Sequence, residues 1–337
     1  MIRTIRLLSL LALGATASLR LFAADAPRDP RAVGAAPVLE DRYPQRSVTF
    51  PGGVTGLPDQ VYAQPAGFRP LTLDVYLPPR RSGAPTAPHP LVLYIHGGGW
   101  ATGHARHSGA FENWPGQLAS LAARGYVVSS LNYRLSGEAP FPAAIQDVKS
   151  ALRWLRAHAS DLGIDKRVAI VWGGSAGGHL AALAATSCGE PALAPPGAQG
   201  GESDCVQGAI LWYPITDFSA LAGAAAADNP ESRFLGCAPS RCPAETLRLA
   251  SPLQQVTART PPMLLVHGAN DHQVPVKQSQ LMHEALQKAG VQSELLVIPD
   301  VDHSFIGATA DSTRRASLEA LDRSIAFIAR NAPASVR

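Results

Sequence analysis

"VWGGSAGGHL" (residues 171–180) sets a serine among small residues, with an apolar run before it and a helical pattern opening after it. A strand-to-helix turn this tight has no room for side chains two positions either side of its central residue. Gly173 and Gly177 stand at those two positions, and Gly174 and Ala176 complete a small-residue box around Ser175. This is G-x-S-x-G in the setting it requires, after the apolar run 168–172 and before the helix-like "GGHLAALAAT". The turn lifts the serine Oγ above the sheet and aims helix N-terminal N–H groups at developing negative charge. Glycine-rich turns of this kind also hold phosphates, so the decision falls to other segments.

A second stretch, "LVLYIHGGGWATG" (91–103), runs an apolar segment into His96-Gly97-Gly98-Gly99-Trp100. Consecutive glycines let the backbone come close to a ligand and turn its N–H groups outward, which suits the other half of an oxyanion hole. A phosphate loop would end in Lys-Ser/Thr, and this one does not. After the serine, an acid and then a histidine should follow in that order. Asp271 lies in "ANDHQVP" behind the apolar run "MLLVHG", and His303 lies in "DVDHSF" behind "ELLVIP". Both fall at strand C-terminal ends, where an α/β sheet builds its sites. Asp300 and Asp302 are rival acids. Asp302 adjoins the histidine in sequence and reads as a brace for the loop.

Ten histidines invite other assignments. His267 closes an apolar run and reads as a hydrogen-bonded core residue, His272 as solvent-facing, and His179 as part of the helix after the serine. His96 reads as a support for the glycine loop. His104 and His107 ("HARH") resemble a metal pair but lack an evident third ligand, so no metal is expected, and a serine nucleophile with an acid and a histidine needs no organic cofactor.

Further apolar runs recur at 71–77, 126–133 and 208–213, with helical patterns between them. In 143–160, Ile145, Val148, Leu152 and Leu155 repeat at helical spacing, and 276–290 ends on Gly290 as a C-cap would. Strand alternating with helix predicts an α/β fold with a mostly parallel central sheet covered on both faces. The interval 214–261 is too long for a plain crossover and reads as a small lid insertion within one domain spanning 47–337.

Composition agrees with one large globular domain: 337 residues, 46% hydrophobic and 16% charged. A net charge of +3 with no basic cluster argues against nucleic acid as a partner. Residues 1–26 carry Arg3 and Arg6, an apolar stretch from Leu7 to Ala17, and small-residue sites at Ala15-Thr16-Ala17 and Ala24-Asp25-Ala26. That layout predicts a secretory signal peptide, and so a secreted or periplasmic protein with no stable membrane insertion once mature. A Pro/Arg/Ala-rich leader spans 27–46. Four cysteines in an exported chain suggest two disulfides, and proximity favours Cys188–Cys205 and Cys237–Cys242 among three possible pairings.

The stretches "HGGGW", "NYRL" (132–135), "FPAAIQDVKSALRWL" (141–155), "GGSAGG", "PPMLLVHGANDHQVP" and "DHSF" stand in this order over about 60–305. Together they resemble an α/β-hydrolase, similar to serine esterases of the hormone-sensitive-lipase and feruloyl-esterase-like groups. The resemblance implies Ser175 as nucleophile, His303 as general base and Asp271 as its orienter, with amides of Gly98, Gly99 and Ala176 as the oxyanion hole. It implies ester hydrolysis on small or aromatic acyl groups, with a small-molecule ester as partner. An amide-cleaving hydrolase of the arylformamidase type and a non-catalytic binding module of the same fold are the alternatives. Trp100, Trp212 and Tyr213 are candidates for lining the acyl pocket, with Trp114 beside them, and Trp212 and Tyr213, at a strand end, read equally as core. Two cysteines in the lid, and the lack of a long helical cap ahead of the first strands, depart from the lipase branch.

Overall fold

The computed structural model describes residues 46–80, 87–197, 201–221 and 229–334. The stretch 1–26 that reads as a signal peptide, and the stretch 27–46 that reads as a leader, except Arg46, lie outside the described residues. Among the described residues nine strands form one sheet: β1 (Val48–Phe50), β2 (Val54–Ala63), β3 (Leu71–Leu77), β4 (His89–Ile95), β5 (Val127–Leu131), β6 (Ile164–Gly174), β7 (Gly208–Trp212), β8 (Met263–Gly268) and β9 (Ser293–Ile298). Their order is β1-β2-β3-β5-β4-β6-β7-β8-β9. The β1–β2, β2–β3 and β3–β5 pairs are antiparallel, and every pair from β5–β4 through β8–β9 is parallel.

The helices are α1 (Trp114–Ala122), α2 (Ala143–Ala157), α3 (Ala159–Leu162), α4 (Ala176–Thr186), α5 (Pro230–Leu235), α6 (Ala244–Ala250), α7 (Lys277–Lys288) and α8 (Ala310–Asn331). The apolar residues of β4 sort by parity, as a sheet buried on both faces requires. Leu91, Leu93 and Ile95 join the core beneath α2, α4 and α7, where Ile145, Val148, Leu152, Leu155, Leu183 and Met282 meet them. Val92 and Tyr94 join the opposite core under α1 and α8, with Trp114, Leu118 and Phe327. The sheet, its parallel centre and the helices on both faces make this an α/β-hydrolase fold.

Three details differ from the sequence reading. Strands β1 and β2 carry no clear apolar alternation, because Gly56 and Pro58 interrupt β2. The fold accommodates Pro58 at a break in register between Leu57 and Gln60. The helical pattern over 143–160 divides at His158, and Gly163 in the left-handed region closes the short second piece. The run 126–133 is a strand only over Val127–Leu131.

Between β7 and β8 the chain carries α5, α6 and short 3₁₀ turns at Phe218–Ala220, Pro239–Arg241 and Pro252–Gln255. Disulfides join Cys237 to Cys242 within this interval, and Cys188 to Cys205 across the loop ahead of β7.

Candidate active site

Three of the parallel strands end at the same edge and deliver one side chain each. Strand β6 runs into Ser175, which stands at φ 56° and ψ −123° before the first residue of α4. A non-glycine residue there is strained by about 1–3 kcal/mol, so the surroundings must hold it. They do so through backbone: the Ser175 amide donates to the Trp212 carbonyl oxygen at 2.9 Å, and the Ser175 carbonyl accepts from the His179 amide at 2.9 Å. A Cβ on Gly173 would collide with the Gly177 backbone, and one on Gly177 would collide with the Ile95 carbonyl oxygen. The glycines flanking the serine are therefore required by the closeness of β4, β6 and α4.

His303 arrives from the loop after β9, with Nε2 3.0 Å from Ser175 Oγ and Nδ1 2.7 Å from Asp271 Oδ2. A carboxylate only accepts, so Nδ1 carries the proton and Nε2 presents its lone pair to the serine hydroxyl. Asp271 is fixed in turn: its Oδ1 accepts from the amides of Gln273 at 2.9 Å and Val274 at 2.7 Å. Burial works against its charge, but hydrogen bonds from His267, His303 and the Val274 amide outweigh burial. Its pKa is held well below the usual carboxylate range.

Asp302 lies apart from the imidazole ring. It accepts from the His303 amide at 2.6 Å and the His272 amide at 2.9 Å, and so ties the two loops together. Asp300 is an exposed residue in the left-handed region.

Facing the serine, Gly98 (φ 112°), Gly99 (φ 58°) and Trp100 (φ 55°) form a run of left-handed residues. The Gly98 carbonyl accepts from the amides of Ala101 and Thr102, which curls the loop on itself. Among the described residues, neither the Gly98 nor the Gly99 amide donates to another backbone carbonyl. Ala176 opens α4, so its N–H has no intrahelical acceptor. His96 supports the loop: its Nδ1 lies 2.7 Å from the Gly97 carbonyl oxygen, and its ring stacks on Tyr133 at 4.3 Å. Burial pushes this imidazole down to about 4.

Gly98, Gly99, Ser175 and His303 line one cavity of about 800 Å³. Tyr213 lines it too, with its ring 4.7 Å from that of His303. Trp100 and Trp212 do not. Trp100 is 1% exposed and points into the core against Phe234, while Trp212 is fully buried and donates to Ser324 Oγ at 3.0 Å. Trp114 is likewise core. The pocket assignment for these tryptophans is therefore corrected: a large aromatic beside a strand end fills the sheet face first, because that burial removes the most apolar surface from water.

Tyr94, Ser108 and Ile306 also line the cavity, and no motif in the sequence marks them. Tyr94 sits inside an apolar strand run, where nothing marks it from core. His104 and His107 are at the cavity wall with rings 6.1 Å apart, and no group of three metal-binding side chains occurs among the described residues. His179 and His267 are both buried and hydrogen-bonded.

The family model described as BD-FAE matches residues 73–286. Esterase LipC of Mycobacterium tuberculosis is 35% identical over 236 residues, covering 69% of this chain and 56% of that protein. Carboxylesterase NlhH of the same organism is 29% identical over 304 residues, covering 85% of this chain and 84% of its own. Among the first curated relatives matched, the chain spans little more than half of their length. Among solved structures, the propionate-bound esterase Est2 of Thermogutta terrifontis is similar with a TM-score of 0.67 and 28% identity, covering 85% of this chain and 97% of that one. A truncated carbohydrate esterase from gut microbiota gives 0.66 and 25%, covering 82% and 95%.

Proposed function

The chain belongs to the BD-FAE family, and on that footing we propose that it is a serine carboxylic-ester hydrolase acting on small or aromatic acyl esters. The observation that carries this reading is the unbroken path from Asp271 Oδ2 through both nitrogens of His303 to Ser175 Oγ, at 2.7 and 3.0 Å. The esterase names of its relatives support the ester-hydrolase class.

In this mechanism Ser175 Oγ attacks the ester carbonyl carbon while its proton passes to His303 Nε2. Asp271 keeps the imidazole in the Nδ1–H form and stabilises the imidazolium that forms. The carbonyl oxygen becomes an oxyanion facing the amides of Gly98, Gly99 and Ala176. One such donor is typically worth about 10²–10³ in rate. As the tetrahedral intermediate collapses, the carbon–oxygen bond to the alcohol breaks and His303 returns the proton to it. Water then attacks the acyl-Ser175 ester by the same route, releasing the acid and restoring the hydroxyl.

Export from the cytoplasm is part of the proposal. It is supported by the basic-apolar-small pattern of residues 1–26 and by two disulfides, which persist in oxidising compartments. The direct test of the chemistry is Ser175→Ala assayed with p-nitrophenyl acetate and p-nitrophenyl butyrate. Turnover should vanish together with labelling by a fluorophosphonate. Wild-type turnover in the variant would refute the nucleophile.

A further inference from the structure

Trp100 follows the three glycines of the loop facing Ser175, yet its indole leaves the cavity and enters the core. There Nε1 meets His179 Nδ1 at 3.1 Å. An indole nitrogen only donates, so Nδ1 of His179 must be the unprotonated nitrogen, and Nε2–H donates to the Ala250 carbonyl oxygen at 2.8 Å. Burial pushes this imidazole down to about 4, so the lone pair that accepts from the indole is present at neutral pH. His179 lies one turn beyond Ser175 in α4, on the helix that opens with Ala176. The contact therefore bridges the two backbone segments that face the carbonyl oxygen.

The far side of the bridge belongs to the insertion between β7 and β8. Phe234 of α5 stacks on Trp100 at 4.5 Å, and Phe218 meets it at 5.7 Å. The same two rings pack edge-on against His179, each at 5.2 Å. Pro230, the first residue of α5, lies 3.3 Å from the place a Cβ on Gly99 would occupy. The loop is held from the other direction by the Ser136 amide, which donates to the Trp100 carbonyl oxygen at 2.8 Å. Gly98, Gly99 and Trp100 are all left-handed, and such a run keeps its shape only where its surroundings impose it.

We infer that Trp100 and His179 are positioning residues for the oxyanion site. Their hydrogen bond sets the spacing between the Gly98–Gly99 amides and the Ala176 amide, and the insertion clamps both partners through Phe218, Phe234 and Ala250. On this view the described parts of the insertion, 214–221 and 229–261, belong to the catalytic scaffold. The inference rests on the reading of Ser175 as the nucleophile.

The test compares wild type with Trp100→Phe, His179→Leu and His179→Gln. Trp100→Phe keeps an aromatic ring against Phe234 and loses the indole N–H. His179→Leu keeps bulk without hydrogen bonding, whereas His179→Gln restores one acceptor and one donor. Each is assayed with p-nitrophenyl acetate and with a short alkyl trifluoromethyl ketone, whose adduct with Ser175 carries the oxyanion. Trp100→Phe and His179→Leu should lower kcat by on the order of 10- to 100-fold, with KM within about twofold. The ketone inhibition constant should weaken in proportion, and His179→Gln should recover part of both. A purely structural role would lower the melting temperature and leave kcat and ketone affinity of the folded fraction at wild-type values. That result overturns the inference. Wild-type protein without ester turnover overturns the hydrolase reading and this one with it; active wild type with unaltered variants overturns this one alone.

Discussion

Asp271 Oδ2 lies 3.3 Å from Nε2 of His267, so the carboxylate that meets His303 is faced by a second imidazole. The other neighbour of that nitrogen is the Val274 carbonyl oxygen at 2.8 Å. Both neighbours are acceptors, so Nε2 of His267 carries a proton, and Nδ1 meets the Ser279 hydroxyl at 2.7 Å. Asp271→Asn replaces the acceptor that fixes the His303 tautomer, and kcat on p-nitrophenyl acetate should fall by about 10⁴. His267→Phe should leave the tautomer in place and instead lower stability by about 1.5–3 kcal/mol, the worth of a hydrogen bond to a charged group. Urea unfolding beside initial-rate kinetics separates the two effects; an Asp271→Asn enzyme within tenfold of wild type would contradict the assignment of the acid.

The same carboxylate makes stability depend on pH. Its folded pKa lies below the unfolded value of about 3.9. The unfolded chain therefore binds the proton first, and the stabilisation is complete above about pH 5 and is lost as pH falls through the unfolded and then the lower folded pKa. Urea midpoints measured downward from pH 5 should fall more steeply for wild type than for Asp271→Asn. Parallel curves would show that Asp271 does not contribute.

The serine corner, the glycine loop and the order of acid and histidine were legible because each needs an unusual residue at a fixed place. Gly173 and Gly177 are forced by backbone contact, and Asp271 and His303 follow apolar runs that the sheet makes parallel. What side chains do once the strands are paired was less visible. Trp100 and Trp212 sit where pocket residues could, but only the packing of Phe234 and of α8 shows that they turn inward. Strand β2 is not legible in the sequence because Gly56 and Pro58 break its alternation, and Tyr94 is not marked as a cavity residue because it lies in a strand buried on both faces.

Beyond the site, Asp204 beside the Cys188–Cys205 bridge holds a buried cation. Lys149 is 1% exposed, with Nζ 2.6 Å from the Ser187 carbonyl oxygen and 3.7 Å from Asp204 Oδ1. Burial pulls the Lys149 pKa down and the Asp204 carboxylate acts against that shift. Asp204 Oδ2 also accepts from Arg153 at 2.8 Å, so Asp204→Ala takes a carboxylate from two cations and should cost about 3–5 kcal/mol, whereas the double change Lys149→Met with Asp204→Leu should recover only the part due to Lys149. Thermal or urea unfolding checks both, and a single variant as stable as wild type would mean that water reaches the ammonium group.

Three glycines give a graded test of how tightly the corner is built. At Gly177 an added Cβ would overlap the Ile95 carbonyl oxygen and lie 2.5 Å from that of His96, with no flexible side chain to give way. Gly177→Ala should therefore cost about 3 kcal/mol or more and reduce ester turnover, since relief requires α4 to move away from β4 and carry Ala176 with it. Gly290 has φ 76° and open space around it, so Gly290→Ala meets conformational strain alone, about 1–2 kcal/mol. Gly137 has neither a positive φ nor any atom within 4 Å of the added group, and Gly137→Ala should be neutral or stabilise by up to about 1 kcal/mol. The ordering of the three unfolding midpoints decides the matter. If Gly177→Ala proved no worse than Gly290→Ala, the close approach of helix and strand behind Ser175 would not be the constraint that keeps the corner in place.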